Sequence, residues 1–227
     1  MLRSDSRFPG DVFGPNTRAI IFDMDGVIID SERLHMLADA ETFLRHGMEV
    51  PEEAWVDIFG MKSESGLAMI LERYGDGSQD PSVLAREKRE LYLGLSAEGL
   101  NLIDGVREYL DACRGRFEKL AVTTSGKADV QMPLLERFGI REYFDVIVTG
   151  DGMRYGKPDP EPYLVTVSWL GFPADACVVI EDAIAGIRSA KAAGCVTVGL
   201  STTLPAERLR DAGADLIVGS FAELMPS

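Results

Sequence analysis

Ala19-Ile20-Ile21-Phe22-Asp23-Met24-Asp25-Gly26-Val27 decides how the rest of the chain is read. Four apolar residues, two of them β-branched, run into an acid, a spacer, a second acid and a glycine. Such a run predicts a parallel strand buried on both faces that ends at a polar site. Two carboxylates one residue apart at a strand end repel each other and lose hydration, and a cation or a shared proton relieves both costs. The competing reading of Asp25-Gly26 is a plain turn, since Asp-Gly is a common turn pair.

The continuation settles which reading to follow. Asp23-Met24-Asp25-Gly26-Val27-Ile28-Ile29-Asp30-Ser31 resembles the first motif of the haloacid dehalogenase superfamily of phosphohydrolases and phosphomutases. Within it, Asp30-Ser31-Glu32-Arg33-Leu34-His35 is similar to the branch of β-phosphoglucomutases and small sugar-phosphate phosphatases.

Beyond Ser31 the pattern turns helical, with Leu34, Leu37, Ala38, Phe43 and Leu44 at helical spacing and Gly47 as the stop. Helices are predicted over Glu52–Phe59, Glu64–Tyr74 and Pro81–Leu95, with no strand before Leu102. From Ile103 strands and helices alternate. Strands are predicted at Lys119–Thr123, Asp145–Val148, Cys177–Ile180, Val196–Val198 and Leu216–Val218. Helices are predicted between them at Gly105–Cys113, Ala128–Phe138, Pro160–Leu170, Ala183–Ala193 and Pro205–Ala212. This rhythm predicts an α/β fold with a doubly wound parallel sheet. Residues 1–30 and 103–227 form the core, and an all-helical cap, 31–102, is inserted after the first strand. Ligands of open α/β sheets bind at the carboxyl ends of the strands, where that insert departs.

Three more strand ends carry candidate groups. Thr124-Ser125-Gly126 offers a hydroxyl and backbone N–H groups to a phosphoryl oxygen. Gly156-Lys157-Pro158 pins a lysine: Pro158 keeps it out of helical geometry, and Gly156 allows a tight bend. Glu181-Asp182 ends an apolar strand with two acids, more than a helix cap needs. With Asp23 and the backbone carbonyl of Asp25 they supply hard oxygen ligands for Mg²⁺. In this order the groups match all four superfamily motifs.

The resemblance implies roles. Asp23 is the nucleophile that forms an aspartyl phosphate, and Asp25, kept protonated, is the acid that then turns base. Thr124, Lys157 and the metal neutralise the phosphoryl oxygens. His35 stands where the mutase carries a hinge histidine. The mutase also presents an arginine to the far phosphate, and Ser63 occupies that position with Lys62 beside it. This departure favours a phosphatase of a small sugar or polyol phosphate over a phosphomutase. A dehalogenase has no use for Asp25 and Glu181-Asp182. A receiver domain lacks the insert, and a binding module need not keep every reactive group. Trp55, Met61, Lys62 and the Arg86–Arg89 region are candidate specificity residues.

A formal net charge of −14 argues against nucleic acid and anionic membranes as partners, leaving a small phosphorylated metabolite. The 3 cysteines, Cys113, Cys177 and Cys195, form no metal or disulfide pattern, which points to a reducing, cytoplasmic setting. The lead-in Met1–Thr17 is polar and reads as loose, without a signal peptide's apolar run. A monomer or weak dimer is expected.

Overall fold

A computed structural model describes residues 13–226; most of the lead-in, 1–12, lies outside the described residues. Six strands form one all-parallel sheet: β1 Ala19–Phe22, β2 Lys119–Thr123, β3 Val146–Val148, β4 Cys177–Glu181, β5 Val196–Leu200 and β6 Leu216–Val218. Their order is β3-β2-β1-β4-β5-β6, which puts β1 at the centre. Ala19 pairs with both Lys119 and Cys177, so the ends of β1, β2 and β4 are level.

All four residues of β1 are fully buried because helices cover both faces. Ile20 and Phe22 pack on one side with Tyr109 of α5 (Val106–Arg114) and Leu135 of α6 (Ala128–Arg137). Ala19 and Ile21 pack on the other with Tyr163 and Leu170 of α7 (Glu161–Leu170) and Ala190 of α8 (Ile184–Ala192). A continuous apolar run is what two covered faces require. Helix α9 (Ala206–Asp211) adds Leu209 to a smaller cluster with Ile187.

Between β1 and α5 come α1 (Glu32–Arg45), α2 (Glu52–Trp55), which continues as a 3₁₀ turn to Ile58, α3 (Ser63–Tyr74) and α4 (Pro81–Gly99). They have their own apolar cluster of Phe43, Ala54, Trp55, Ile58, Leu67, Ile70 and Leu84. The chain enters and leaves this block side by side: Asp30 N–H donates to the Asn101 carbonyl, and Ile103 N–H to that of Ile28. Among the described residues, no helix is long and apolar enough to cross a membrane.

Three expectations need correcting. Leu37 and Leu44 are 44% and 57% exposed, so only part of the apolar repeat on α1 faces the interior. Trp55 is 2% exposed and edge-packed on Phe43, a core residue of the helical block and not a pocket wall. Gly156 has no positive φ; a Cβ there would lie 2.7 Å from Cγ of Lys62, so it gives room to that side chain, not a bend.

Candidate active site

The sequence distance between the candidate groups vanishes at the level strand ends. Asp23 follows β1, Thr124 follows β2, and Glu181 ends β4. Lys157, in the loop before α7, reaches back between them. Its Nζ donates to Asp23 Oδ1 at 2.6 Å and to Glu181 Oε1 at 2.6 Å. Lys157 is 1% exposed. Burial alone would discharge it, but Asp23 and Glu181 more than reverse that and hold its ammonium above the ordinary lysine value. Tyr163 OH donates to the same Glu181 oxygen at 2.6 Å.

Asp23, Glu181 and Asp182 bring carboxylate oxygens within 4.8 Å of one another, all buried. Neither oxygen of Asp182 meets a donor in good hydrogen-bond geometry, and the Thr203 hydroxyl beside it only partly stabilises its charge. Burial, then the charges of Glu32, Glu181 and Asp23, pushes the Asp182 carboxyl well above the usual range. Burial and Glu181 do the same to Asp23, and Lys157 only partly offsets them. Three acids against one ammonium leave a surplus of two negative charges when all are ionised. Orphaned buried oxygens with such a surplus fit a hard divalent cation.

The backbone is shaped around these acids. At Gly26, with φ +74°, a Cβ would lie 2.7 Å from Cγ of Asp182, and only glycine meets both demands. At Gly186 in α8, a Cβ would overlap the terminal atoms of the Glu181 carboxylate.

Asp25 sits in a different setting. Ser31 Oγ donates to its Oδ1 at 2.6 Å, and His35 Nε2 lies 3.3 Å from the same oxygen. Gln131 Nε2 donates to Oδ2 at 2.9 Å. Burial would raise the Asp25 carboxyl, but His35, Ser31 and Gln131 outweigh it and hold it below its ordinary value. Ser31 and Gln131 donate to this carboxyl, which favours its anion in this arrangement. Its side chain is also outside the Asp23–Glu181–Asp182 cluster, leaving its backbone carbonyl as the expected metal contact.

The remaining candidates line the approach. Thr124 is buried and its Oγ1 accepts from Gly126 N–H at 3.0 Å. Ser125 Oγ donates to the Gly60 carbonyl at 2.6 Å, and Lys62 Nζ to the Met153 carbonyl at 2.7 Å. Both tie the helical block to the sheet's loops. His35 stacks on Tyr92 at 4.0 Å. Ser63 is exposed at the start of α3, Arg86 is exposed, and Arg89 pairs with Asp129 at 2.6 Å.

A cavity of about 70 Å³ is bounded by Asp23, Asp25, His35, Lys62, Ser63 and Ser125 among others. That is below the roughly 300–1,000 Å³ of small-molecule sites. A larger cleft of about 1010 Å³ borders Gly26 and Glu32 but contains neither Asp23 nor Lys157.

Several contributors were given no role from sequence: Ser31, Gln131, Tyr163, Tyr92 and Asp39, which pairs at 2.8 Å with Lys88 of the Arg86–Arg89 region beside the cavity. A signal existed for Gln131 and for that pair. Gln131 shares the buried stripe of α6 with Leu134 and Leu135, and Lys88 lies between Leu84 and Tyr92 on the buried stripe of α4.

The sequence matches the haloacid dehalogenase-like hydrolases over residues 20–200, and the chain belongs to this family. Its phosphatases typically use a metal, and the acidic cluster described above is present here. Among curated relatives, fructose-1-phosphate phosphatase YqaB of Escherichia coli is 35% identical, over 77% of this chain and 92% of that protein. A phosphorylated carbohydrates phosphatase of Thermotoga maritima is 34% identical over 78% and 81%. Among solved structures, mutant CbbY from Rhodobacter sphaeroides in complex with xylulose-(1,5)bisphosphate matches with a TM-score of 0.76, 30% identity and 92% and 96% coverage. A putative β-phosphoglucomutase from Bacteroides vulgatus matches with a TM-score of 0.81, 26% identity and 91% and 85% coverage.

Proposed function

We infer that this protein is a Mg²⁺-dependent phosphatase that hydrolyses a small phosphorylated sugar or polyol through an aspartyl phosphate on Asp23. The observation that carries this is the orphaned Asp182 carboxylate beside Asp23 and the Lys157–Glu181 pair, at the end of the central strand. The relatives named above act on phosphorylated carbohydrates, which supports the substrate class.

Asp23 attacks phosphorus, and the bond from phosphorus to the sugar oxygen breaks. Asp25 protonates that leaving oxygen, then takes a proton from the water that releases phosphate and regenerates Asp23. The donors now around Asp25 match the second, basic half. Lys157 orients Asp23, and Thr124 with the backbone N–H groups after it is set to bind phosphoryl oxygens. Asp23, Asp182 and the Asp25 carbonyl would hold Mg²⁺, with Glu181 acting directly or through water. Bound there, the ion supplies positive charge to the phosphoryl oxygens as charge develops on them.

Residues 31–102 act as the cap that closes over the site. We take the protein to work in the cytoplasm, a reading supported by three free, buried thiols, and as a monomer or weak dimer. A phosphomutase is the second reading, favoured by the Bacteroides vulgatus neighbour. Ser63 lacks the charge and bidentate reach that arginine brings to a far phosphate, and Lys62 is engaged by Met153.

The test is p-nitrophenyl phosphate hydrolysis with excess chelator, then with Mg²⁺ restored, in the wild type and Asp23→Asn. Activity that stops, returns and is absent from the variant is expected. Full activity in chelator, or near-normal turnover by Asp23→Asn, overturns the reading.

A further inference from the structure

Gln131 is 1% exposed, and its two amide ends are in opposite situations. Nε2 donates to Asp25 Oδ2 at 2.9 Å, while Oε1 is buried without a hydrogen-bond partner among the described residues. Ser31 and His35 occupy Oδ1 of Asp25, and the amide presents its Nε2 to the other oxygen. The acceptor is thereby turned away from Asp25, on a residue that lines the cavity holding Asp23 and Ser125.

The position is built. A Cβ on Gly126 would overlap Nε2 and lie 2.7 Å from Cγ and Cδ of Gln131, so any larger residue at 126 displaces this side chain. A buried carbonyl without a donor is costly, and native structures keep such groups rarely and for a reason. A phosphate group cannot answer it, since its oxygens accept. A hydroxyl can. In the mechanism above, Asp25 faces the ester oxygen, so the hydroxyl nearest the far end of the same amide is the one on the adjacent carbon.

We propose that Gln131 is a specificity-determining residue whose Oε1 accepts a hydrogen bond from the substrate hydroxyl next to the phosphate ester. This rests on the phosphatase reading. A site that reads a hydroxyl through a buried acceptor rejects the analogue lacking it, because the acceptor then stays unpaired.

Two substrate pairs test it: glycerol 1-phosphate against 3-hydroxypropyl phosphate, and glucose 1-phosphate against its 2-deoxy analogue, with p-nitrophenyl phosphate as the hydroxyl-free reference. The wild type is expected to favour the hydroxylated member of at least one pair in kcat/KM, by about tenfold to a hundredfold, the cost of one unpaired buried acceptor. In Gln131→Met that ratio should fall to within about threefold of unity. Loss shared by both members reports the missing contact to Asp25, so the ratio isolates the hydroxyl. If Gln131→Met fails to fold, Gly126→Ala, which displaces Gln131, should show the same collapse of the ratio. No preference in either pair, or a preference that survives in the variant, overturns the proposal while p-nitrophenyl phosphate is still hydrolysed. A wild type inactive on p-nitrophenyl phosphate brings down the phosphatase reading itself, and this proposal with it.

Discussion

Gly186→Ala tests the buried network from behind. Gly186 lies inside α8, where alanine would ordinarily stabilise by about 1 kcal/mol. Here the added methyl overlaps the Glu181 carboxylate, which must move. Moving it breaks the bonds to Oε1 from Lys157 and Tyr163, both 2.6 Å and both charge-assisted. At about 1.5–3 kcal/mol each they amount to about 3–6 kcal/mol, and the helical gain leaves a net loss of about 2–5 kcal/mol. For a chain this long, that lowers the melting temperature by about 4–20 °C. Gly94→Ala is the control: Gly94 is exposed in α4 and a Cβ there would meet nothing within 4 Å, so it should gain about 0.5–1 kcal/mol. Thermal and urea unfolding read both variants, and p-nitrophenyl phosphate hydrolysis reads the site. A Gly186→Ala protein that melts with or above the wild type and keeps full turnover refutes the argument.

Three further outcomes follow from the same contacts. Lys157→Met strands Asp23 and Glu181 without their cation, and urea unfolding should show a loss of about 3–5 kcal/mol together with lost turnover; unchanged stability would contradict the ion pairs. Asp25→Asn should slow hydrolysis of a sugar phosphate by about 10²–10⁴-fold and that of p-nitrophenyl phosphate less, because nitrophenolate leaves with little need of a proton; equal losses would remove Asp25 from acid catalysis. Burial opposes the Asp215 charge, but Lys191 and Thr197 hold its carboxyl below the ordinary value. A depressed carboxyl adds stability above its unfolded pKa of about 3.9 and loses it as pH falls through the lower folded value, so melts from pH 7 to pH 3 should show the wild type's advantage over Asp215→Asn shrinking below about pH 4. A pH-independent difference would contradict this.

The strands were the most legible part of the chain. β2 and β6 keep the expected bounds, Lys119–Thr123 and Leu216–Val218, set by the apolar stretches Leu120–Val122 and Leu216–Val218. Helix ends differ by a residue or two, as caps lie outside the periodic stretch. Helix α4 continues to Gly99, beyond the expected Leu95, before Leu100 turns into the core. The acids and the hydroxyl were legible because they stand at strand ends, whereas Lys157, well past the end of β3, reaches Asp23 and Glu181 from the loop before α7. The setting of Asp25 was not legible. Its partner Gln131 is 106 positions away, and no local spacing says which donors converge on a carboxylate. Trp55 was misread for a related reason: an aromatic residue in a helical block is equally compatible with a pocket wall and with a core.

The three groups around Asp25 come from three separate places: Ser31 at the junction, His35 on α1 and Gln131 on α6. Two of them travel with the chain that leads into the helical block, and one stays with the sheet. The charge on this carboxylate is thus tied to the position of α1. If α1 were to move outward with His35, the surroundings that favour the anion would be partly dismantled. The proton needed by the departing sugar would then be easier to hold than in the arrangement described here. Opening and closing would then time proton uptake and release without any group dedicated to sensing either.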